Sequence, residues 1–215
     1  MNLPEFIQSD VDLAARNTLA LPGRAAFYAE ITAPEQLVAL AGKLAVRRFI
    51  LGGGSNLVLG GDFDGLMLHM AIAGRDGREL SEEWSGGAHA HLGMCVPGFP
   101  NMFVLYGPNT NTSGGSIVFY LETQAAYVRQ ALQHVAARGA AAIEVRPEVE
   151  AASDREVQHR FAGTAWTECD SWYRDRQGRI VANWPGYMRE YLAQASKLDV
   201  SQYRFAPMPE RTAVV

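Results

Sequence analysis

Three consecutive glycines constrain the fold of this 215-residue chain more than any other feature of its sequence. Gly52-Gly53-Gly54 follows directly on a short apolar run at residues 48–51, and a second apolar run, Leu57-Val58-Leu59, resumes after Ser55 and Asn56. This pattern predicts a strand that ends in a glycine-rich loop and a strand that leaves the loop. Glycine adopts backbone conformations that other residues avoid, so a sharp turn is available at this point.

The periodicity on either side of the loop predicts a β-α-β-β unit over residues 25–70. Residues 25–31 resemble a strand, and Thr32 with Glu35 is expected to form a capping box that starts a helix. Residues 65–70 are expected to form the closing strand. The helix is predicted to bury Leu37, Leu40, Ala41 and Leu44.

A polar, glycine-punctuated stretch at residues 73–87 predicts a connector, and we place the boundary near Arg75. The expected domains are residues 1–74 and residues 77–215. Helical and strand-like patterns occur in both, so the predicted fold class is α/β, of a mixed α+β kind.

The second domain is predicted to begin with a buried strand at residues 102–106, which is an uninterrupted apolar run. A loop rich in glycine and asparagine, residues 107–115, then leads into a long helix from Ser116 to Arg138, with Gly139 as its stop. The apolar face expected of this helix is Ile117, Leu121, Val128, Leu132 and Val135.

Shorter elements are expected after this helix. Residues 143–146 are predicted to form a strand that Pro147 halts. Residues 153–156 are predicted to be a second capping box, opening a helix that ends near Thr164. A hairpin around residues 176–178 and a helix over residues 187–197 complete the prediction.

Composition excludes several classes of protein. Hydrophobic residues make up 48% of the chain and charged residues 20%, a balance typical of globular proteins rather than disordered ones. The net charge of −4 argues against nucleic acid as a partner. No basic, apolar leader and no membrane-length apolar run is visible, and Cys95 and Cys169 lie in no metal-like spacing, so we expect a cytoplasmic protein without a membrane partner.

The glycine loop can be interpreted in two ways. Successive backbone N–H groups around Gly52, Gly53 and Gly54 can converge as an anion nest, to which Ser55 and Asn56 add side-chain donors. Such a nest suits a pyrophosphate. The alternative is a plain turn between two strands, because a glycine motif by itself is a weak indication of binding.

The residues around this loop resemble a known family. Four features occur in the same order in UDP-N-acetylenolpyruvoylglucosamine reductase, also called UDP-N-acetylmuramate dehydrogenase. They are Asn17-Thr18, the helix start at residues 33–37, the loop at residues 52–56 and Asp64-Gly65-Leu66. The resemblance covers residues 1–74 and implies an FAD-binding subdomain. The residues that would hold the FAD pyrophosphate are Gly52, Gly53, Gly54, Ser55 and Asn56. That family's second FAD subdomain, its substrate domain and its catalytic serine have no counterpart after Gly74, so no catalytic residue is predicted.

A strand that opens into a loop before a helix is where open α/β sheets place ligands, although such a connection can also be without one. Four segments resemble the C-terminal part of Baeyer–Villiger monooxygenases, in particular the group that acts on aryl ketones. These segments are residues 97–110, Glu122-Thr123-Gln124, Ser171-Trp172-Tyr173 and residues 183–186. The resemblance covers residues 77–215. It implies that Gly107 and Asn109 would be flavin neighbours in an intact enzyme.

Several features of that monooxygenase family are not found in this sequence. There is no Gly-x-Gly-x-x-Gly motif after an N-terminal strand, no His- and Trp-containing fingerprint, and no counterpart of the arginine that stabilises the peroxyflavin. The NADPH site is therefore expected to be absent and the FAD site weak or partial. His89, His91 and Cys95 lack a further ligand cluster, so no metal site is predicted.

Two classes of function remain from the sequence. The first is an FAD-dependent oxidoreductase derived from a flavin-dependent monooxygenase of the Baeyer–Villiger type, catalytically incomplete or completed by a partner chain that supplies the missing domains. A fragment of the muramate-pathway reductase is the alternative within this class. The second class is a non-catalytic product of gene fusion.

Overall fold

A computed structural model describes residues 4–16, 21–40, 46–51, 59–112, 115–168, 171–175 and 177–207. The chain divides into two compact units, one of Met1–Ala73 with Glu79–Ser81 and one of Gly74–Arg78 with Glu82–Val215. Both units contain strands and helices. The mixed α/β fold class predicted from the sequence is confirmed.

The first unit contains a four-stranded sheet in the order β1-β2-β4-β3. Its strands are β1 (Ile7–Asp12), β2 (Arg24–Ile31), β3 (Arg48–Leu51) and β4 (Phe63–Met70). β1 is antiparallel to β2, whereas β4 is parallel to both β2 and β3. The order strand, helix, strand, strand from β2 to β4 agrees with the predicted β-α-β-β unit, and β1 is an additional strand that the sequence did not indicate.

The helix of this unit, α1 (Pro34–Leu40), begins one residue later than the predicted capping box implies. Gln36, rather than Glu35, reaches back: its Oε1 accepts the backbone N–H groups of Thr32 at 2.8 Å and Ala33 at 3.0 Å. Pro34 is favoured at the first helical position because it has no N–H to satisfy there, and this shifts the cap. Leu40 is buried as predicted, but Leu37 is 39% exposed; Ala41 and Leu44 lie outside the described residues.

The second unit is built around a long helix and a two-stranded sheet. Its long helix is α3 (Ile117–Ala137), and β5 (Ala140–Val145) pairs antiparallel with β6 (Tyr203–Pro207). The short α2 (Leu80–Glu83) has its first two residues in the first unit and its last two in the second. α4 (Pro147–His159) and α5 (Met188–Ala195) complete the second unit. The main core packs one face of α3 against α5 and the sheet; it includes Tyr120, Tyr127, Ala131, Ile143 and Tyr203.

The ends of α3 are those predicted. The Ser116 side chain accepts the Phe119 N–H at 3.4 Å, and Gly139, with a φ of 57°, follows the last turn. The predicted buried face of α3 is correct only in part, since Val135 packs against the core while other predicted positions do not. Ile117 is 47% and Leu132 60% exposed, while the buried positions are Tyr120, Thr123, Gln124, Tyr127 and Ala131.

Two further predictions in this unit are wrong. Residues 102–106 form no strand: the Val104 N–H donates to the carbonyl of Met94 at 2.9 Å, Tyr106 has a φ of 54°, and Leu105 is 48% exposed. An apolar run alone cannot distinguish a strand from a turn that packs against a core. Ser153 lies in the middle of α4, because Pro147 at the first helical position starts that helix earlier.

Candidate functional site

The glycine loop predicted to hold a pyrophosphate, residues 52–56, lies outside the described residues. β3, which precedes it, is parallel to β4 and ends at Leu51, which is 3% exposed. The chain is described again from Leu59. A cleft of about 370 Å³ lies beside the start of β4; its lining includes Arg47, Phe49, Leu59, Gly60, Asp62 and Phe63.

The second predicted site, Gly107 and Asn109, is fully described and has a clear structural role. Asn109 is 7% exposed, and its side-chain Nδ2 donates to the carbonyls of Ile180 at 2.8 Å and Asn183 at 3.0 Å. Its backbone N–H donates to the Val181 carbonyl at 2.9 Å. With a φ of 55°, Asn109 also occupies a left-handed conformation that asparagine tolerates.

Gly107 is held at a close approach of two backbone segments. A Cβ atom at this position would lie 2.3 Å from the carbonyl oxygen of Gly93 and 2.9 Å from Val104. The Thr110 hydroxyl donates to the Gly107 carbonyl at 2.7 Å. Gly107 and Asn109 therefore fix the path of the loop before α3, and the Asn109 side-chain donors are already used within the protein.

A cleft that the sequence did not indicate lies beside the same loop. Its volume is about 510 Å³, and it is formed between the loop before α3, the first turn of α3 and the start of α5. Its lining residues are Thr112, Tyr120, Trp184, Gly186, Tyr187, Met188 and Arg189. These positions come from two stretches far apart in the sequence, Thr112 with Tyr120 and the residues between 184 and 189, so no single local motif could have identified the cleft.

The histidines considered as metal ligands lie in different environments. His89 Nδ1 lies 2.8 Å from Glu150 Oε1, and this hydrogen bond raises the pKa of His89. His91 is buried, and burial lowers its pKa to about 4. The Cys95 thiol lies 3.6 Å from the Tyr203 hydroxyl, and burial raises its pKa to about 12. Within the part of the chain that the structure describes, no three His, Cys, Asp or Glu side chains group as metal ligands.

The described helices include none that is long and apolar enough to cross a membrane. No protein-family profile matches the chain. Known proteins match in two separate groups, one for each of the resemblances expected from the sequence.

Monooxygenases match the larger part of the chain. A Baeyer–Villiger monooxygenase of Pseudomonas aeruginosa is 36% identical over 141 residues, which is 64% of this chain and 27% of that protein. An FAD-binding monooxygenase of Aspergillus niger is 35% identical over 141 residues, covering 63% of this chain and 22% of its own length. Among solved structures, an oxidised steroid monooxygenase bound to NADP is 26% identical with a TM-score of 0.57, over 69% of this chain and 31% of that one.

A reductase matches a shorter part. UDP-N-acetylenolpyruvoylglucosamine reductase of Dechloromonas aromatica is 62% identical over 77 residues, which is 35% of this chain and 23% of that protein. The chain thus spans about a quarter of the length of the curated relatives it matches. Both predicted resemblances are confirmed: most of this chain resembles flavin-dependent monooxygenases of the Baeyer–Villiger type, and a shorter part resembles the muramate-pathway reductase.

Proposed function

We propose that this chain is an FAD-binding protein derived from two flavin-dependent oxidoreductases, a reductase-like segment at residues 1–74 and a monooxygenase-like segment at residues 77–215. The observation that carries the proposal is the pair of matches in one chain: 62% identity to the reductase over 77 residues and 36% identity to a monooxygenase over 141 residues. Relatives of the larger segment include a protein named as FAD-binding.

The FAD pyrophosphate would be held by backbone N–H groups of Gly52, Gly53 and Gly54 together with Ser55 and Asn56. This assignment rests on the sequence, because a glycine-rich loop after a strand can form an anion nest. A doubly charged diphosphate suits such a nest, and each side-chain hydrogen bond to a charged acceptor contributes roughly 1–3 kcal/mol.

Gly107 and Asn109 would contribute to FAD binding through the shape of their loop. The Asn109 amide donates to two carbonyls of its own unit, and Gly107 permits a backbone approach that any side chain would block. We therefore assign these residues a role in shaping the flavin side of the site, without a direct hydrogen bond from the Asn109 side-chain amide. The predicted affinity for FAD is in the micromolar range or weaker.

Titration of FAD against the purified protein, followed by flavin fluorescence, tests the proposal. Gly54→Val is expected to abolish binding, since a branched side chain restricts the turn and blocks the phosphate. Gly86→Val is the matched control, because a Cβ at Gly86 meets nothing within 4 Å. Equal affinity of wild type and Gly54→Val would mean that the loop is only a turn.

We further propose that the chain alone does not turn over the substrates of either parent family. The sequence contains no Gly-x-Gly-x-x-Gly motif, and we expect the NADPH site and the catalytic groups of both families to be missing from this chain. Assays with NADPH and a ketone, and with an enolpyruvyl sugar nucleotide, are expected to give no rate above a flavin-only control. A rate above that control would favour a working oxidoreductase, and a rate that appears only with a second protein would favour a partner chain.

A non-catalytic product of gene fusion remains the second candidate. The observation in its favour is that two unrelated enzyme families each match a separate part of one chain, and each match spans about a quarter of the relative. Absence of both FAD binding and turnover, in protein that unfolds cooperatively, would support this candidate over the first.

A further inference from the structure

A buried carboxylate in the first turns of α4 has a histidine as its counter-ion. Glu150 is 5% exposed, and its Oε1 lies 2.8 Å from Nδ1 of His89, whose side chain is 23% exposed. Among the described residues, no second basic side chain forms an ion pair with this carboxylate. A buried carboxylate without a counter-charge is costly. The charge state of His89 therefore determines how strongly this contact is stabilised.

A second ion pair lies one turn further along the same helix. Asp154 pairs with Arg179, and their side chains are 20% and 23% exposed. Residues four apart lie on the same face of a helix, so Glu150 and Asp154 are neighbours that hold two different segments of the chain. Arginine keeps its charge at all ordinary pH values, whereas histidine loses its charge near neutral pH. Of these two pairs, only His89 with Glu150 can lose its charge between pH 5 and pH 9.

The groups that face His89 favour its protonated form. The hydrogen bond to Glu150 is the main cause that raises the pKa of His89; the charge of Asp154 adds to this effect, while burial and Arg179 oppose it. His91 also faces Glu150, but burial lowers the pKa of His91 to about 4, so that ring is neutral above pH 5. The positive charge beside Glu150 near neutral pH is therefore that of His89.

His89 lies near the end of a short loop, residues 84–90, that leads into the main core of the second unit. The Trp84 indole N–H donates to the His89 carbonyl at 2.8 Å, which ties the start of the loop to its end. Leu92, three residues after His89, is 8% exposed and belongs to the core. Packing thus fixes the chain after the loop, and the His89 side chain attaches the loop itself to α4.

We propose that the His89–Glu150 pair is a pH-sensitive switch, which holds the 84–90 loop on α4 while His89 is protonated and loosens it when His89 loses its proton. A neutral imidazole can still donate a hydrogen bond, but a neutral hydrogen bond is roughly half as strong as a charge-assisted one. The stabilisation is complete below the pKa of about 6.5 of histidine in an unfolded chain, and it is lost as pH rises through the raised pKa of His89. This switch does not depend on FAD binding.

Hydrogen exchange of the backbone amides at pH 5.5 and pH 8.5, corrected for the intrinsic exchange rate at each pH, tests the switch. Mass spectrometry of peptides that cover the 84–90 loop is expected to show about three- to tenfold less protection at pH 8.5, the difference between a charge-assisted and a neutral hydrogen bond. In His89→Gln, protection should be equal at both pH values, because glutamine does not titrate. Asp154→Asn is the matched control. It removes the ion pair one turn further along α4 but keeps the pH dependence of the wild type, because His89 and Glu150 are unchanged.

Proton NMR of the wild-type imidazoles is a second measurement, which requires no substituted protein to remain folded under all conditions. The His89 resonance, identified by its loss in His89→Gln, should titrate above pH 6.5, and Glu150→Gln should move its titration back toward that value. Equal protection of the wild-type loop at both pH values would overturn the switch. A pH dependence that persists in His89→Gln would also overturn it, as would a wild-type His89 that titrates at or below pH 6.5.

Discussion

The buried carboxylate of Glu144, on β5, forms an ion pair with Arg75 in which Oε1 lies 3.2 Å from Nη2. The same oxygen accepts the Gly98 N–H at 3.0 Å, and the Arg75 N–H donates to the Gly98 carbonyl at 2.7 Å. Arg75 is the residue at which we place the boundary between the two sequence segments. The first turn of the second unit is therefore anchored to its sheet.

Glu144→Gln is expected to reduce the free energy of unfolding by about 1–2 kcal/mol. The amide keeps an acceptor for Gly98 but loses the charge that pairs with Arg75. Urea unfolding measures the loss, and trypsin should cleave faster after Arg75 and Arg78. Glu148→Gln is the control, since Glu148 is 64% exposed and 4.0 Å from its nearest cation. The same urea midpoint for both variants would contradict this role for Glu144.

A hydroxyl pair at the centre of the second unit gives a second prediction. Tyr127 and Tyr203 are both buried, and their hydroxyl oxygens lie 2.8 Å apart. Tyr127→Phe or Tyr203→Phe alone leaves the other hydroxyl without this buried partner, which costs about 1–3 kcal/mol.

The double variant should cost less than the sum of the two single variants, because removing both hydroxyls leaves neither unsatisfied. Urea unfolding of the four proteins gives the coupling free energy, expected at about 1 kcal/mol. Tyr187→Phe is the control, as Tyr187 is 69% exposed. Strict additivity of the two core substitutions would show that the hydroxyls do not stabilise each other.

A third prediction concerns the buried side chain of His91 and the pH dependence of the free energy of unfolding. The residue is 6% exposed, and burial lowers its pKa to about 4; Gln202 offsets part of this effect, although neither ring nitrogen reaches hydrogen-bond geometry with a partner in the described chain. The unfolded chain binds a proton near pH 6.5 and the folded chain only near pH 4, so stability falls as pH falls through that window.

The contribution of His91 to this loss is about 3 kcal/mol between pH 7 and pH 4. His91→Leu removes the titrating group, so its unfolding free energy should fall less over the same window. Urea unfolding at several pH values gives the comparison. His159→Leu on α4 is the control, because the His159 side chain is exposed. If the unfolding free energies of wild type and His91→Leu fell equally with pH, His91 would not be the source of the pH-dependent loss of stability.

The extent of α3 could be predicted from the sequence, whereas its buried face could not. Ser116 and Gly139 mark the ends by local chemistry alone. The buried face carries Tyr120, Gln124 and Tyr127, and Gln124 is satisfied there by a hydrogen bond to the Tyr191 hydroxyl at 2.8 Å. A helical pattern based on apolar residues assigns such polar and aromatic residues to the exposed face, because the partners that bury them lie far away in the sequence.

The candidate sites show the same limit. Gly107 and Asn109 stand out in the sequence, and the structure explains both by close backbone packing and by carbonyl partners more than 70 residues away. The cleft of about 510 Å³ combines Thr112 and Tyr120 with Trp184 and residues 186–189, which only the folded chain brings together. A short motif can indicate a loop, but it cannot show which cavity forms beside that loop.

Asn109 offers a direct test of whether its loop is held by the side-chain amide. Asn109→Asp keeps the size of the side chain and its tolerance of a positive φ, but replaces the Nδ2 donor by an oxygen that faces the carbonyls of Ile180 and Asn183. Two carbonyl oxygens repel a carboxylate, so the pKa of the introduced carboxyl should be raised above its unfolded value of about 3.9.

The protonated carboxyl can still donate one hydrogen bond, so stability should be nearly normal below pH 4 and fall as pH rises through the raised pKa. The expected loss at pH 7 is about 3 kcal/mol, since a buried charge is left without a donor. Urea unfolding at pH 4 and pH 7 measures this difference. Asn101→Asp is the control, because Asn101 is exposed and a charge there remains hydrated. Equal stability of Asn109→Asp and wild type at pH 7 would show that the loop is fixed by its backbone alone.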